Sequence, residues 1–261
     1  SQFPASRYAL VIADHGGAAG SLGKDTSSGN SLANGEISQA VSESAVELDL
    51  LMIDAGLCAN PATLLELRGA AAVIVASADA APSAGMDYGR WIGKLFANPA
   101  MTGQDLGSAA VNAFAETWGT RHTLAALDTS ALPALAEALN ELGTQGTSPL
   151  PAIVLEARNA SSSSFEPRYR DLQQFIEIIG ASGGQLGTAA LEAGAALADA
   201  VIATVHTPAT LGAMNVYLPG AGGNPVSSLD PAHPDFLADN PGWAGLLQNL
   251  AETELTDTDW A

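Results

Sequence analysis

The residues best suited to do chemistry gather in one segment, YALVIADHGGAAGSLGKD, at residues 8–25. In it an apolar run ends at Asp14. This run is followed by His15, two glycines and, further along, Lys24. Such a turn can hold a phosphate, as nucleotide-binding loops do, or it can present a histidine for proton transfer. These two hypotheses predict different functions.

The phosphate hypothesis conflicts with the chemistry of its own motif. A P-loop has the form G-x-x-x-x-G-K-[ST], because the glycines turn main-chain N–H groups toward the phosphates and the hydroxyl holds Mg²⁺. Gly23 and Lys24 fit the pattern, but Ala18 stands at the first glycine position and Asp25 at the hydroxyl position. A carboxylate beside the phosphates would repel them. We therefore set the P-loop aside.

The histidine hypothesis gains support from a second turn. His15 follows a predicted buried strand, at the end where open parallel sheets bind ligands, and the glycines at 16 and 17 allow a ligand close to the main chain. Another apolar run, LDLLMID at residues 48–54, also ends in an acid, Asp54, followed by small residues and a predicted helix. Neighbouring parallel strands would bring the two turns side by side, so we favour a functional His15 over one that merely ends a strand.

The elements that must position these turns alternate along the chain. Short apolar runs typical of buried strands lie at residues 8–13, 48–54, 71–78, 122–128 and 150–157. Helical spacing is found at residues 34–45, 60–69, 102–119 and 129–143. This alternation predicts parallel strands joined by right-handed crossovers, hence an α/β sandwich. Closer to the C-terminus we predict helices at residues 169–180 and 185–205 and a strand at 214–220.

Composition narrows the possible partners and the architecture. The 261 residues are 47% hydrophobic and 14% charged, which predicts one domain spanning 1–261. Nine basic residues against 28 acidic ones give a net charge of -19, which disfavours nucleic acids and membranes and favours cationic peptides. No long apolar stretch and no signal-peptide start is present, which predicts a soluble chain. The single cysteine, Cys58, excludes an internal disulfide and a cysteine-based metal site.

Beyond these features, the sequence resembles the clostripain family of cysteine peptidases, which are related to caspases and gingipains. The family's DHGG strand end, with its catalytic histidine, is similar to ADHGGAAG here and corresponds to His15. The family's DAC strand end, with its nucleophilic cysteine, is similar to DAGLC here and puts Gly56 at the nucleophile position. Further similar segments, in the family's order, lie at residues 75–99, 123–139, 169–179, 212–220 and 236–252.

The resemblance implies a fold and a site. The fold is a caspase-like sandwich with a mostly parallel central sheet and helices on both faces. The activity is cleavage of peptide or protein substrates after Arg or Lys, with no required cofactor. Asp54 would reach into the primary pocket, Asp79 or Asp87 would be a second acid there, and the N–H groups of Gly16 and Gly56 would bind the oxyanion.

Glycine at position 56 supplies no nucleophile, which leaves two interpretations open. One is an arginine- or lysine-directed cysteine endopeptidase that here lacks its nucleophile. The other is a naturally inactive pseudopeptidase that binds basic peptides. Cys58 as a displaced nucleophile is less favoured, because a lone cysteine among apolar residues is usually a small buried hydrophobe.

Metal binding and location are further expectations. His122, His206 and His233 do not cluster with acids, which disfavours zinc. Calcium is kept as an option on the scattered oxygen ligands Asp25, Asn30 and Glu36, although their spacing is not that of an EF-hand. We predict a bacterial protein that is secreted or otherwise outside the cytoplasm, and its oligomeric state stays open.

Overall fold

The computed structural model describes residues 5–17, 20–147, 149–206, 211–219 and 234–256. The strands in chain order are β1 (Ala9–Ala13), β2 (Gly16–Gly17), β3 (Ser21–Leu22), β4 (Leu32–Ala33), β5 (Leu48–Asp54), β6 (Ala71–Ala76), β7 (Leu124–Asp128), β8 (Tyr169–Asp171), β9 (Val201–Val205) and β10 (Asn215–Tyr217). The helices are α1 (Asn34–Glu43), α2 (Pro61–Leu67), α3 (Tyr88–Ala97), α4 (Gly103–Trp118), α5 (Leu132–Gln145), α6 (Ala152–Ala160), α7 (Leu172–Gly180), α8 (Gly184–Ala200), α9 (Pro234–Asp239) and α10 (Pro241–Thr256), and a 3₁₀ turn spans Thr129–Ala131.

A five-stranded central sheet has the order β1-β5-β6-β7-β9. β1 pairs in parallel with β5, and β5 with β6, whereas β7 is antiparallel to both of its neighbours. Four of the five strands therefore run in one direction, which confirms the predicted mostly parallel sheet.

The parallel pairing that the alternation of strands and helices predicts does not extend to β7, which is antiparallel to both of its neighbours. Between β6 and β7 the chain forms two helices, α3 and α4, of which the helical spacing at residues 102–119 predicts only the second. One helix returns the chain to the starting end of a sheet, but a second helix carries it back again. The next strand must then run in the opposite direction.

Helices cover both faces of the sheet, as predicted. Leu51, Ile53 and Ile74 lie in a large core with residues of α2, α5, α7, α8 and α10. The alternate strand residues Leu50 and Met52 lie in a second core with α3 and α4. This division follows from the alternation of side chains along a strand.

Three short apolar segments differ from, or refine, the prediction. Residues 150–157 are not a strand, because helix α6 begins directly after Pro151 and buries Val154 and Ala157 on one side. Residues 201–205 are not helical but form edge strand β9, in keeping with their β-branched side chains. The predicted strand at 214–220 is present as β10, which pairs with β8 in a separate two-stranded sheet.

Within the described part of the chain, no helix is long and apolar enough to cross a membrane.

Candidate active site

The turn after β1 is a small hairpin that presents His15. The main-chain N–H of His15 donates to Asp14 Oδ1 at 2.6 Å, and its carbonyl accepts from the N–H of Gly23 at 2.9 Å. β2 pairs antiparallel with β3, and α1 begins only after β4. On the described residues, this hairpin differs from the strand-loop-helix that a P-loop requires. The His15 side chain is exposed.

Gly16 lies against the turn that follows β5. Because the His15 carbonyl faces β3, strand alternation directs the N–H of Gly16 away from β3. A Cβ at Gly16 would overlap the carbonyl oxygen of Gly56 and lie 2.8 Å from Cys58 Sγ. Only glycine allows this approach. The close distances show that the two predicted turns lie against each other.

The turn after β5 is held by the segment after β6. Leu57 has a φ of 65°, a left-handed conformation that is uncommon for a branched residue and stores strain. Its N–H donates to the carbonyl of Asp79 at 3.1 Å, and the N–H of Ala59 donates to the carbonyl of Ser77 at 2.9 Å. Helix α2 then begins at an Asn60 cap, whose Oδ1 accepts from Thr63 N–H at 2.9 Å.

One cavity of about 590 Å³ joins these turns at the carboxyl ends of β1 and β5, where parallel sheets bind ligands. Its lining includes Asp14, His15, Gly16, Asp54, Gly56, the 80–85 segment, Tyr88 and Phe165. His15, Gly16, Asp54 and Gly56, to which the sequence analysis assigns the site, thus border the same space. Asp14, Tyr88 and Phe165 had not been singled out from the sequence.

Asp54 places a carboxylate group in the lining of this cavity. Its half-buried carboxylate accepts the Tyr88 hydroxyl at 2.6 Å and the Met86 N–H at 3.1 Å, both on Oδ2. Burial, followed by the nearby Asp54 carboxylate, raises the pKa of Tyr88, so the phenol stays a proton donor. Among the described residues, Oδ1 has no hydrogen-bond partner, which leaves that oxygen for a ligand.

The other two predicted acids do not border the cavity. Asp79 Oδ1 accepts the N–H of Phe165 at 3.1 Å. Asp87 caps α3 by accepting the N–H of Arg90 at 3.0 Å, and it also pairs with the Arg90 guanidinium at 3.4 Å. The Arg90 N–H above all lowers the pKa of Asp87. Asp87 is thus engaged with its own helix, and Asp79 holds a neighbouring loop.

Position 56 has little room for a side chain. A Cβ built on Gly56 would lie 3.0 Å from the Asp79 carbonyl oxygen, 3.1 Å from Ala81 N and 3.2 Å from Ala80 Cα. A cysteine would therefore fit only if the 79–81 segment moved by a few tenths of an ångström.

Comparison with known families matches the clostripain family model to residues 1–175. The chain belongs to the clostripain family. Its fold is similar to that of a secreted C11 cysteine protease from Bacteroides thetaiotaomicron, solved with an irreversible peptide inhibitor, at 18% identity and a TM-score of 0.66 over 94% of this chain and 73% of that one. An inactive zymogen C11 protease from Parabacteroides distasonis gives 17% identity and a TM-score of 0.63 over 94% of this chain and 71% of that one. A cysteine protease from B. fragilis gives 16% identity and a TM-score of 0.63 over 86% of this chain and 98% of that one. A search of curated proteins finds no match.

The one cysteine of this clostripain-family chain is buried beneath the site. Cys58 is 2% exposed, and its Sγ donates to the Gly56 carbonyl at 3.3 Å. Burial raises the pKa of the thiol to about 12. The thiol therefore stays protonated near neutral pH and is a poor nucleophile.

We expect Cys58 to resist alkylation in the folded protein. At pH 8, iodoacetamide labelling should be on the order of 100-fold slower in the native chain than in denaturant, because only the thiolate reacts. Intact-mass spectrometry over time measures both rates. Rapid native labelling would contradict the burial and return Cys58 to consideration as a displaced nucleophile.

In the described part of the chain, the oxygen ligands named for calcium are not gathered into a metal site. Both carboxylate oxygens of Asp25 accept hydrogen bonds from Ser27 and Ser28, and Glu36 Oε2 accepts the Ala33 N–H at the start of α1. Across the described residues, no group of three or more His, Cys, Asp or Glu side chains is arranged to hold a metal ion. His122 Nδ1 lies 3.2 Å from the Ala80 carbonyl oxygen, and His233 is outside the described residues.

Asn215 is a supporting residue that sequence reasoning missed. It is fully buried, its N–H donates to the Ala59 carbonyl at 2.9 Å, and its Nδ2 donates to the Ala78 carbonyl. It thereby ties together the turns that follow β5 and β6. A separation of 137 residues from Ala78 leaves no local signal of this contact.

Proposed function

We propose that this clostripain-family domain binds peptide or protein segments that carry Arg or Lys, and that it leaves them intact. The observation that supports this proposal is the Asp54 carboxylate, which lies in the same cavity as His15 and the Gly16–Gly56 contact. A cationic side chain would pair with Asp54 while the peptide carbonyl lies at the two glycines. Gly56 stands where the family resemblance expects a cysteine, so no thiol attacks that carbonyl.

Charge and preorganisation favour a basic ligand. Because Tyr88 and Met86 already fix Oδ2 of Asp54, the carboxylate needs little reordering when a cation arrives. Charge-assisted hydrogen bonds to a guanidinium or ammonium are about twice as strong as neutral ones. The net charge of -19 adds long-range attraction for cationic peptides.

A second candidate is an Arg- or Lys-directed cysteine endopeptidase, of which this chain is the form without a nucleophile. The feature that favours it is the pairing of an exposed His15 with a Gly16 N–H turned away from β3. Basic-peptide binding alone needs neither group, whereas hydrolysis needs a proton donor for the leaving amine and a site for the oxyanion. Both candidates share the same binding step.

We propose that this peptide binding takes place outside the cytoplasm of a bacterium. One structural relative is a secreted protease of Bacteroides thetaiotaomicron, which supports a secreted protein. Extracellular protein segments rich in Lys or Arg would then be the available partners.

Fluorescence polarisation with labelled peptide amides tests the binding proposal. Peptides ending in Lys or Arg should bind at least about tenfold more tightly than matched peptides ending in norleucine or citrulline, since a charge-assisted contact contributes about 1.5–3 kcal/mol. Because the whole surface is acidic, the comparison is repeated at high salt, which screens distant charges more than a half-buried one. Equal affinities for basic and neutral peptides would overturn the proposal. Mass spectrometry of the recovered peptides should find them uncleaved.

A further inference from the structure

Phe165 is an exposed aromatic side chain that borders the candidate site. It is 67% exposed, and it lines the cavity that also contains Asp54 and Gly56. A single exposed apolar residue is ordinary on a protein surface. For Phe165, the informative feature is the set of hydrogen bonds that holds its loop in place.

The loop that carries Phe165 is fixed by hydrogen bonds of Ser164 and Asp79. Ser164 Oγ donates to the Glu166 carbonyl at 2.7 Å, and the Ser164 N–H donates to the Tyr169 carbonyl at 2.9 Å. Asp79, which is 86 residues away in sequence, accepts the N–H of Phe165 itself. The main chain of Phe165 is therefore fixed at the cavity rim, and its exposed ring is accessible to a ligand.

The order of strands indicates which part of a bound peptide meets this ring. His15 follows β1, Gly56 follows β5 and Asp79 follows β6, and these strands are neighbours in that order. In peptidase chemistry the histidine serves the leaving amine, so the carboxyl side of the peptide lies over the β1 end. The amino side then extends over the β6 end, where Asp79 holds Phe165.

We propose that Phe165 contacts the side chain that precedes the basic residue and selects an apolar side chain there. This inference rests on the proposed function, because it assumes that Asp54 binds the basic residue. The ligand class becomes a peptide with an apolar residue followed by Lys or Arg. Burying an apolar side chain against an aromatic face removes both from water, which favours leucine over serine at that position. Asp79 is a positioning residue that acts through the Phe165 main chain.

Two labelled peptide amides that differ only before their terminal lysine, with Leu or with Ser, measure this preference. The wild-type chain should bind the Leu-Lys peptide about fivefold to tenfold more tightly than the Ser-Lys peptide. Phe165→Ala should reduce the ratio to less than about twofold, with most of the loss in the affinity for the Leu-Lys peptide. Phe96→Ala is the matched control, because Phe96 is 81% exposed on α3 and is outside the lining of this cavity.

Asp79 variants separate positioning from general stability. Asp79→Ala should lose the Leu preference, whereas Asp79→Asn should keep it, since its amide oxygen can still accept the Phe165 N–H. Thermal midpoints of all variants are measured alongside, so that a fall in the ratio at an unchanged midpoint supports the positioning role.

The outcomes distinguish failure of this inference from failure of the proposed function. A Leu preference that is absent in the wild type, or that survives Phe165→Ala, overturns this inference while leaving the proposed function in place. Failure of both lysine peptides to bind the wild type more tightly than norleucine peptides overturns the proposed function instead.

Discussion

Replacing Gly56 with cysteine is expected to give this domain peptidase activity toward peptides with Lys or Arg. The new thiol would stand at the cavity that His15 and Gly16 border, beside the residues that we propose as proton donor and oxyanion site. The hydrolysis rate of a Lys- or Arg-ended anilide substrate should rise on the order of 10³-fold or more above that of the unmodified chain, because covalent catalysis is lost without a nucleophile.

The substitution also has a structural cost. The Asp79 carbonyl oxygen and Ala81 N lie only 3.0 and 3.1 Å from the position of the new Cβ, so the 79–81 segment must move slightly. Overpacking of this kind typically costs about 1–3 kcal/mol. Urea denaturation of both proteins measures that cost and shows whether the variant is folded under assay conditions.

Two further variants make the result specific. Adding His15→Ala to Gly56→Cys should return the rate to near background, and Gly56→Ser, of similar size, should stay far below the cysteine variant. A folded Gly56→Cys protein that binds the lysine peptide and cleaves none of it would eliminate the endopeptidase candidate and leave the binding module.

Asp54→Asn is expected to have the largest effect on binding. It should weaken affinity for Lys- and Arg-ended peptides by about 10- to 100-fold and leave norleucine peptides unchanged, because a hydrogen bond to a charged group contributes about 1.5–3 kcal/mol. The amide oxygen of asparagine can still accept from the Tyr88 hydroxyl and the Met86 N–H, so the local structure is preserved. Titration by fluorescence polarisation gives the dissociation constants of the variant and the unmodified chain, and hence their ratio.

Asp87→Asn is the control for net charge. It removes the same single charge from a carboxylate outside the cavity, and asparagine can still cap α3. Equal losses from the two variants would mean that the acidic surface as a whole attracts the peptide. That result would contradict a specific role for Asp54.

The sequence predicted the adjacency of His15 and Gly56 because that adjacency follows from a simple rule. Their strands, β1 and β5, are parallel neighbours, so the turns that follow them meet at one edge. Gly16 belongs to the same turn as His15, its oxyanion role is what the family resemblance implies, and its close approach to Gly56 brings the two turns into contact.

Other features depend on contacts that no local pattern contains. The direction of β7 depends on α3, whose short helical segment follows a turn-rich loop and was not recognised. Residues 150–157 were assigned to a strand because a short apolar run fits either a buried strand or a buried helix. The different environments of Asp54, Asp79 and Asp87 arise from how the loop after β6 folds back, and acidic residues in a loop do not encode that path.

The central claim is that a basic side chain binds at Asp54 while its carbonyl lies at the Gly16–Gly56 contact. A crystal structure of the unmodified chain with a Leu-Lys peptide amide tests it most directly. We predict the lysine ammonium within hydrogen-bond distance of Asp54 Oδ1, the adjoining carbonyl oxygen near the N–H groups of Gly16 and Gly56, and an intact peptide. A lysine bound elsewhere on the acidic surface, with the cavity free of peptide, would contradict it.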